Sequence, residues 1–434
     1  MPKSKRLRVS HSSPPNRVAE ANFAFSFNLL KELIIAEKPS PVACSPFSVS
    51  VCLAILCTGA KGETKAQLEK LLGGATASDE HIQEFYTGML RASGDFCLEF
   101  ANKLCVKECA TPVESFVEIV KQNYDGILEW FRFEESEKLV KSINAWVRQK
   151  THGLIKDLIQ LKDITRGTRM ILLNAVYFNG KWKNEFEERY SKDEEFRITE
   201  TETKTVSIPL YRNIKDKSKF LNSAYFKTVN KLLYLLSINY NKRSLVSVRM
   251  MRNHLANKFN FIETDKAKII RFPYKGDQMA MYAFLPAEFK THGAVFEGFE
   301  ESEIFALMNR VKEEDPVAVM VQFPCMEVSS EFNLEKIIQQ LGIVDAFNNR
   351  LADFTGILSL PPGTSRLHIS TIFQKTYIKT NEKGTEAASA TRVQLATGSS
   401  RKRPPVYYFT ADRPFFYFIV YESEMSILFA GTFT

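Results

Sequence analysis

The sequence predicts an α+β domain with large sheets, and three observations carry that prediction. Amphipathic helical periods dominate the early part of the chain, and strand-length apolar runs dominate the later part. Helices and strands therefore segregate along the chain instead of alternating as a regular βαβ repeat would. With 434 residues, the chain has enough material for a large core, in one large mixed domain or two smaller ones.

Residues 1 to about 18 are basic and rich in Ser and Pro, and read as a disordered leader ahead of a domain at 19–434. From Asn22 the run FAFSFNLLKELIIA has helical spacing. Ser45-Pro46 opens a second helix through FSVSVCLAILCTGA, with Gly59 as its end signal. Residues 137–150 form another amphipathic helix, closed by Gly153. The run MILLNAVYF (170–178) is nearly all apolar and suits a strand covered on both faces. MAMYAFLP (279–286) and VAVMVQF (317–323) are strand-like, and EKIIQQLGIVDAF (335–347) reads as a helix and a short turn. RPFFYFIVY and SILFAG near the C-terminus read as two buried strands.

Composition narrows the function classes. Apolar residues make up 44% and charged residues 25%, as in ordinary globular proteins, and the 34 Phe fit a Phe-rich core. The net charge of +8 collects in the leader and in Arg401-Lys402-Arg403, which admits a heparin-like polyanion as partner. No helix face is dense in Lys and Arg with interleaved aromatics, so no nucleic-acid surface is expected. Cys44, Cys52, Cys57, Cys97, Cys105, Cys109 and Cys325 include no CxxC pair and no zinc-ligand spacing, so no metal or cofactor is expected. Cys52 and Cys57 read as buried thiols, while Cys97, Cys105 and Cys109 are close enough to invite one disulfide. No apolar run reaches the ~18 residues of a membrane span. The absence of a secretory h-region and of any Asn-x-Ser/Thr favours the cytosol, or a chain whose true start is missing. No GxSxG, HExxH or P-loop is present, so catalysis is not expected.

One internal echo stands out: Val206–Asn213 (VSIPLYRN) recurs as Val246–Asn253 (VSVRMMRN). The stretch at about 212–246 reads as an atypical insertion, a duplicated segment or translated non-coding sequence.

The segment after Asn381 has its own pattern. Gly384 frees the backbone, and Thr385, Ala387, Ser389 and Thr391 would share one face of a strand, all of them small. No Pro blocks a strand before Pro404. Taken alone the run also suits a flexible linker.

Three separated segments resemble the serpin family: Leu173–Trp182 (LNAVYFNGKW), Asn381–Thr391 (NEKGTEAASAT) and Phe409–Phe416 (FTADRPFF). Ser45-Pro46-Phe47-Ser48, Asn144-Ala145-Trp146-Val147 and Phe272–Gly276 add weaker echoes, so the resemblance runs from about Asn22 to Thr434 outside the insertion. It implies a serpin fold, about nine helices on three β-sheets with an exposed reactive-centre loop. It also implies a metastable monomer, extracellular by family habit, that traps a serine protease in a covalent acyl complex when the cut loop enters the main sheet. The resemblance makes Glu382, Gly384, Thr385, Ala387, Ser389 and Thr391 the hinge and inserting loop. Ser45, Ser48, Asn174 and Gln374 become a polar "shutter" under the sheet opening, and Trp182 marks the "breach" at its top. Gln374 stands where the family usually has His. The attacked bond is Arg401-Lys402 when counted back from Pro404-Pro405, or Gly398-Ser399 when counted from the hinge. Arg401 suits a trypsin-like protease. A non-inhibitory carrier or chaperone, or a cleaved substrate, is the alternative.

Overall fold

The computed structural model describes residues 17–36, 40–74, 77–91, 96–108, 110–124, 127–198, 245–253, 257–361, 366–385 and 406–434. Eight α-helices lie among them: α1 Arg17–Ala36, α2 Pro46–Gly59, α3 Gly62–Gly73, α4 Asp79–Leu90, α5 Glu114–Asn123, α6 Ser136–Lys150, α7 Glu301–Glu313 and α8 Glu335–Gln340. The early strands are β1 Val42–Cys44, β2 Phe96–Lys107, β3 Thr111–Pro112, β4 Ile127–Phe131, β5 Met170–Lys181 and β6 Lys192–Arg197. After the undescribed stretch come β7 Leu245–Arg252, β8 Asn257–Glu263, β9 Ala267–Pro273, β10 Met279–Pro286, β11 Val317–Pro324 and β12 Met326–Asn333. The last are β13 Leu358–Ser359, β14 Ile369–Asn381, β15 Gly384–Thr385, β16 Tyr407–Thr410, β17 Phe415–Tyr421 and β18 Ser426–Phe433.

The strands form three sheets. A ten-stranded sheet runs β1-β18-β17-β10-β9-β8-β11-β7-β6, with β16 added on β11. A six-stranded sheet runs β12-β14-β15-β5-β2-β4, in which β14 also pairs β5 directly. The third sheet pairs β13 with β3.

Sequence pattern explains the layers. α2 is apolar all round and nearly every residue of it is buried, as a central helix must be. Ser45 caps it by accepting the Ser48 backbone N–H at 3.4 Å, and Pro46 occupies its first turn. β5 is covered twice. Ile171, Leu173 and Ala175 meet Leu139, Ile143 and Val147 of α6, while Leu172 and Val176 join the main core with α2. That double cover is why MILLNAVYF shows no polar alternation. Phe373 and Tyr377 of β14 pack against the same apolar cluster, which also holds Ile155, Leu158, Ile159 and Ile164 of the segment after α6.

Several expectations shift. α1 starts at Arg17, inside the expected leader, because Val18 and Ala19 are already buried. The helix and turn expected over 335–347 are present, the helix spanning Glu335–Gln340 and Gly342 at φ +106° leading into the turn that follows. The second copy of the echo forms β7, antiparallel to both β6 and β11, so the chain is back in a sheet by Leu245. The first copy and most of the expected insertion lie outside the described residues. Cys52, Cys57 and Cys105 are buried free thiols, and burial pushes Cys52 up to about 12. The sulfurs of Cys97 and Cys109 lie outside the described side chains, and with them the expected disulfide.

Candidate functional site

The site is the seam between β14 and β5. From Ile369 opposite Met170 to Thr376 opposite Val176 the two strands pair directly and in parallel. Above that point they part, and β15 lies between them. Thr385 and Gly384 pair antiparallel with Gly180 and Lys181 of β5, and with Thr380 and Asn381 of β14. The sheet is closed below and already split above by the first residues of the predicted hinge.

A tight turn, Asn381–Gly384, folds the chain back to make this possible. Lys383 N donates to Asn381 Oδ1 at 3.0 Å. Gly384 has φ +148°, and a Cβ there would lie 2.1 Å from the Gly180 carbonyl oxygen, so only glycine fits. Thr385 is buried, as the alternation predicts, and its hydroxyl lies 2.8 Å from the Tyr274 hydroxyl and 3.4 Å from that of Thr380.

Trp182 roofs the turn. Its indole N–H donates to Asn381 O at 2.9 Å, its backbone N–H donates to Lys383 O at 2.9 Å, and its ring stacks on Tyr274 with centroids 4.6 Å apart. Phe186 N donates to Glu382 O at 2.8 Å. Glu382 is buried, and Arg249 of β7 donates to its Oε1 at 3.0 Å. Burial alone would raise the Glu382 carboxyl, but the nearby Ser191 hydroxyl, its own backbone N–H and the Arg249 guanidinium hold it below the usual carboxylate range.

The polar residues predicted for the shutter do meet, directly under the closed seam. Gln374 and Asn174 are register partners across it. Gln374 Nε2 donates to Asn174 Oδ1 and to Ser45 O, both at 2.8 Å, and Ser45 N donates back to Gln374 Oε1 at 3.2 Å. Asn174 Nδ2 donates to Ser48 Oγ and, at 2.6 Å, to Asn102 Oδ1. Ser48 Oγ donates to Asn102 Oδ1 at 2.9 Å, and Ser45 Oγ to Leu428 O at 2.7 Å. Ser45, Ser48, Asn174 and Gln374 are fully buried. Such a network is worth keeping only while every member is satisfied.

Sequence reasoning missed Asn102, Arg249 and Tyr274. Asn102 carried a signal, an amide two residues on from Phe100 and two before Leu104, on the face those apolar residues bracket in a strand. Arg249 carried none, because its partner lies across a sheet boundary. Ala387, Ser389, Thr391 and the bonds Arg401-Lys402 and Gly398-Ser399 lie outside the described residues.

A family model described as serpin (serine protease inhibitor) matches residues 20–228 and 238–434, leaving a gap within the expected insertion. Serpin B8 of Bos taurus is 30% identical over 422 residues, covering 96% of this chain and 99% of its own length. The leukocyte elastase inhibitor of Homo sapiens is 28% identical over 424 residues, with the same coverage of 96% and 99%. The crystal structure of Serpin48 from Tenebrio molitor superposes with a TM-score of 0.74 at 25% identity, covering 96% of this chain and 97% of that one. With the family model spanning nearly the whole chain and the split sheet in place, this chain belongs to the serpin family.

Proposed function

We propose that this chain inhibits a trypsin-like serine endopeptidase as a suicide substrate. Serpins are protease inhibitors rather than catalysts. The protease serine oxygen attacks the Arg401 carbonyl carbon, the Arg401–Lys402 bond breaks, and Lys402 leaves as a free amine carrying the serine proton. An ester then joins Arg401 to the protease. Residues from Glu386 onward follow Thr385 into the seam, separate β14 from β5, and carry the acylated protease along.

One observation supports this reading above the others: Gly384 and Thr385 already form the first rungs of a strand antiparallel to both β14 and β5. Extending it replaces one slanted parallel pairing with two antiparallel ones, which are somewhat more stable per residue. Each added ladder bond contributes roughly 0.5–1.5 kcal/mol. Ala387, Ser389 and Thr391 continue the face of Thr385 with side chains small enough to be covered.

Five described cysteines are unpaired, in keeping with a reducing compartment, so the proposed location is cytoplasmic rather than extracellular. No helix among the described residues is long and apolar enough to cross a membrane. A heparin-like polyanion, drawn to Arg401-Lys402-Arg403 and the leader, is the proposed secondary partner.

The test is incubation with trypsin, followed by a denaturing gel and intact-mass analysis. The expected result is a stable band at the summed mass and a released fragment beginning at Lys402. In a parallel incubation with an elastase-like protease, whose pocket takes small residues, a complex with a fragment beginning at Ser399 moves the bond to Gly398-Ser399. Cleavage without a complex overturns inhibition and leaves the carrier or substrate reading.

A further inference from the structure

Three helices bring a thiol and two carboxylates together. Cys57 in the last turn of α2, Glu69 of α3 and Asp79 at the start of α4 each offer one ligand atom, and the three atoms lie within 4.8 Å of one another. Cys57 is fully buried, while Glu69 and Asp79 are 32% and 26% exposed, so the cluster has a buried floor and a rim that meets solvent. Two orphaned atoms set it apart from an ordinary acidic patch. Asp79 Oδ1 is buried and accepts no hydrogen bond among the described residues. Tyr124, just past α5, is 1% exposed, and its hydroxyl has no partner among them either. After burial itself, the charges of Asp79 and Cys57 act most on that hydroxyl, which places it beside the cluster. Buried polar groups are nearly always satisfied, so two orphans at one spot point to a group that supplies their partner. We propose that Cys57, Glu69 and Asp79 bind a zinc ion.

The donor set selects the metal. Mg²⁺ and Ca²⁺ take oxygen ligands alone, whereas a thiolate with carboxylates suits Zn²⁺. Zn–S bonds of about 2.3 Å and Zn–O bonds of about 2.1 Å put tetrahedral ligand atoms about 3.5 Å apart, so the cluster contracts by only roughly 1 Å. Lys65 is already placed as the outer-shell partner. Its Nζ lies 2.9 Å from Asp79 Oδ2 and 3.7 Å from Glu69 Oε1, one helical turn away on α3. It orients the Asp79 carboxylate and leaves Oδ1 for the ion. A thiolate, two carboxylates, Lys65 and Zn²⁺ together carry no net charge. A water completes the coordination and meets the Tyr124 hydroxyl.

Proton balance follows from the same residues. Burial, and then the carboxylates of Asp79 and Glu69, push the Cys57 thiol up, so without metal it stays protonated. Forming the Zn–S bond sends that proton to solvent, one per ion, and binding therefore strengthens as pH rises. Bound zinc ties the last turn of α2 to α3 and α4, and α2 is the helix whose first turn carries Ser48. The expectation of no metal rested on spacing within short motifs, which cannot register ligands spread over three helices. The site is independent of the inhibitory reading.

Cobalt(II) is the probe, because it occupies zinc sites and shows a thiolate-to-metal charge-transfer band. The full chain, stripped with a chelator, is expected to bind one Co²⁺ with that band. It should release the cobalt to equimolar Zn²⁺ and keep it in excess Mg²⁺. Cys57→Ser is expected to abolish the band. Glu69→Gln, on the rim, should leave the circular dichroism spectrum unchanged and weaken Co²⁺ binding about tenfold while the band persists. This rim variant keeps the proposal testable if Cys57→Ser fails to fold. No band in the parent overturns the proposal. A band that survives Cys57→Ser also overturns it, by moving the metal to another of the seven cysteines. Parental affinity in Glu69→Gln overturns it as well, because the site then does not use the carboxylate that the geometry assigns.

Discussion

The lower and upper halves of the β5–β14 seam are built from the same two strands, yet they are held in opposite ways. Below, Gln374 and Asn174 face each other across a direct parallel pairing and sit in a fully satisfied, fully buried polar cluster. Above, the strands are apart, and Thr385, Gly384 and the Trp182–Tyr274 stack fill the gap. On the proposed mechanism, the upper half is an antiparallel insertion already begun, and the lower half is the barrier to its completion. Closing the lower half with amides rather than aliphatic residues has a physical consequence. An apolar seam would lose packing gradually as it opened. A polar one must exchange its partners together, or leave buried groups unsatisfied at about 1–3 kcal/mol each.

The largest expected effect lies in the upper half. Thr385→Arg puts a guanidinium where Tyr274 and Thr380 leave room for a hydroxyl. A buried charge without a partner costs several kcal/mol, so the loop cannot follow into the sheet. The variant should still be cut by trypsin while forming at least tenfold less covalent complex per mole cleaved, read by titrating residual protease activity. Undiminished complex would mean that the upper half is not the entry point.

Next comes the lower half. Asn174→Ala strips a donor from Ser48 and Asn102 and an acceptor from Gln374 in a single change. A loss of about 3 kcal/mol is expected in urea unfolding, since several buried groups are orphaned at once. A loss below about 1 kcal/mol would show that the cluster relaxes independently of the seam.

Legibility in the sequence follows the same division. The lower half could be read because its constraints are local or periodic. Ser45 announces itself as a cap before Pro46, β5 announces double burial, and Asn174 is an amide inside that apolar run. Strands at 279–286 and 415–421 were likewise set by unbroken apolar runs, and the one at 317–324 by a run broken only at Gln322. The upper half was readable at Gly384 and Thr385 through the small-residue alternation, and at Glu382 and Trp182 through the serpin resemblance. Its other members, Tyr274 and Arg249, reach the turn from β9's end and from β7, and no spacing rule connects residues so far apart in the chain.

A smaller effect tests how the hinge is anchored. Arg249→Ala leaves Glu382 buried with no ion-pair partner among the described residues, at a cost of about 1 kcal/mol, because Arg249 itself is half-exposed and screened. The Glu382 carboxyl is held low in the fold, so this stabilisation is complete above its unfolded pKa and is lost as pH falls through the folded one. The stability difference between parent and variant should therefore be present at neutral pH and shrink below about pH 4.5. A difference that stays constant with pH would assign the loss to Arg249 packing rather than to the ion pair.

The smallest effect converts the lower half into a titrating element. Gln374 makes three hydrogen bonds, donating to Asn174 and Ser45 and accepting from the Ser45 N–H, and none depends on pH. A neutral imidazole at this fully buried position has one donor and one acceptor, so Gln374→His gives up one bond, about 1 kcal/mol at pH 8. Burial disfavours the imidazolium, which puts the folded pKa below the unfolded value of about 6.5. Stability is then complete above that value and falls as pH drops through it, because the unfolded chain takes up the proton first. His292 serves as the internal control, since burial already lowers its pKa and it titrates in parent and variant alike. Only the extra decline of Gln374→His relative to the parent, measured by urea unfolding from pH 8 to 5.5, reports on the seam. Parallel pH profiles would mean that residue 374 reaches solvent when the sheet breathes, and that the lower half opens more readily than its hydrogen bonds imply.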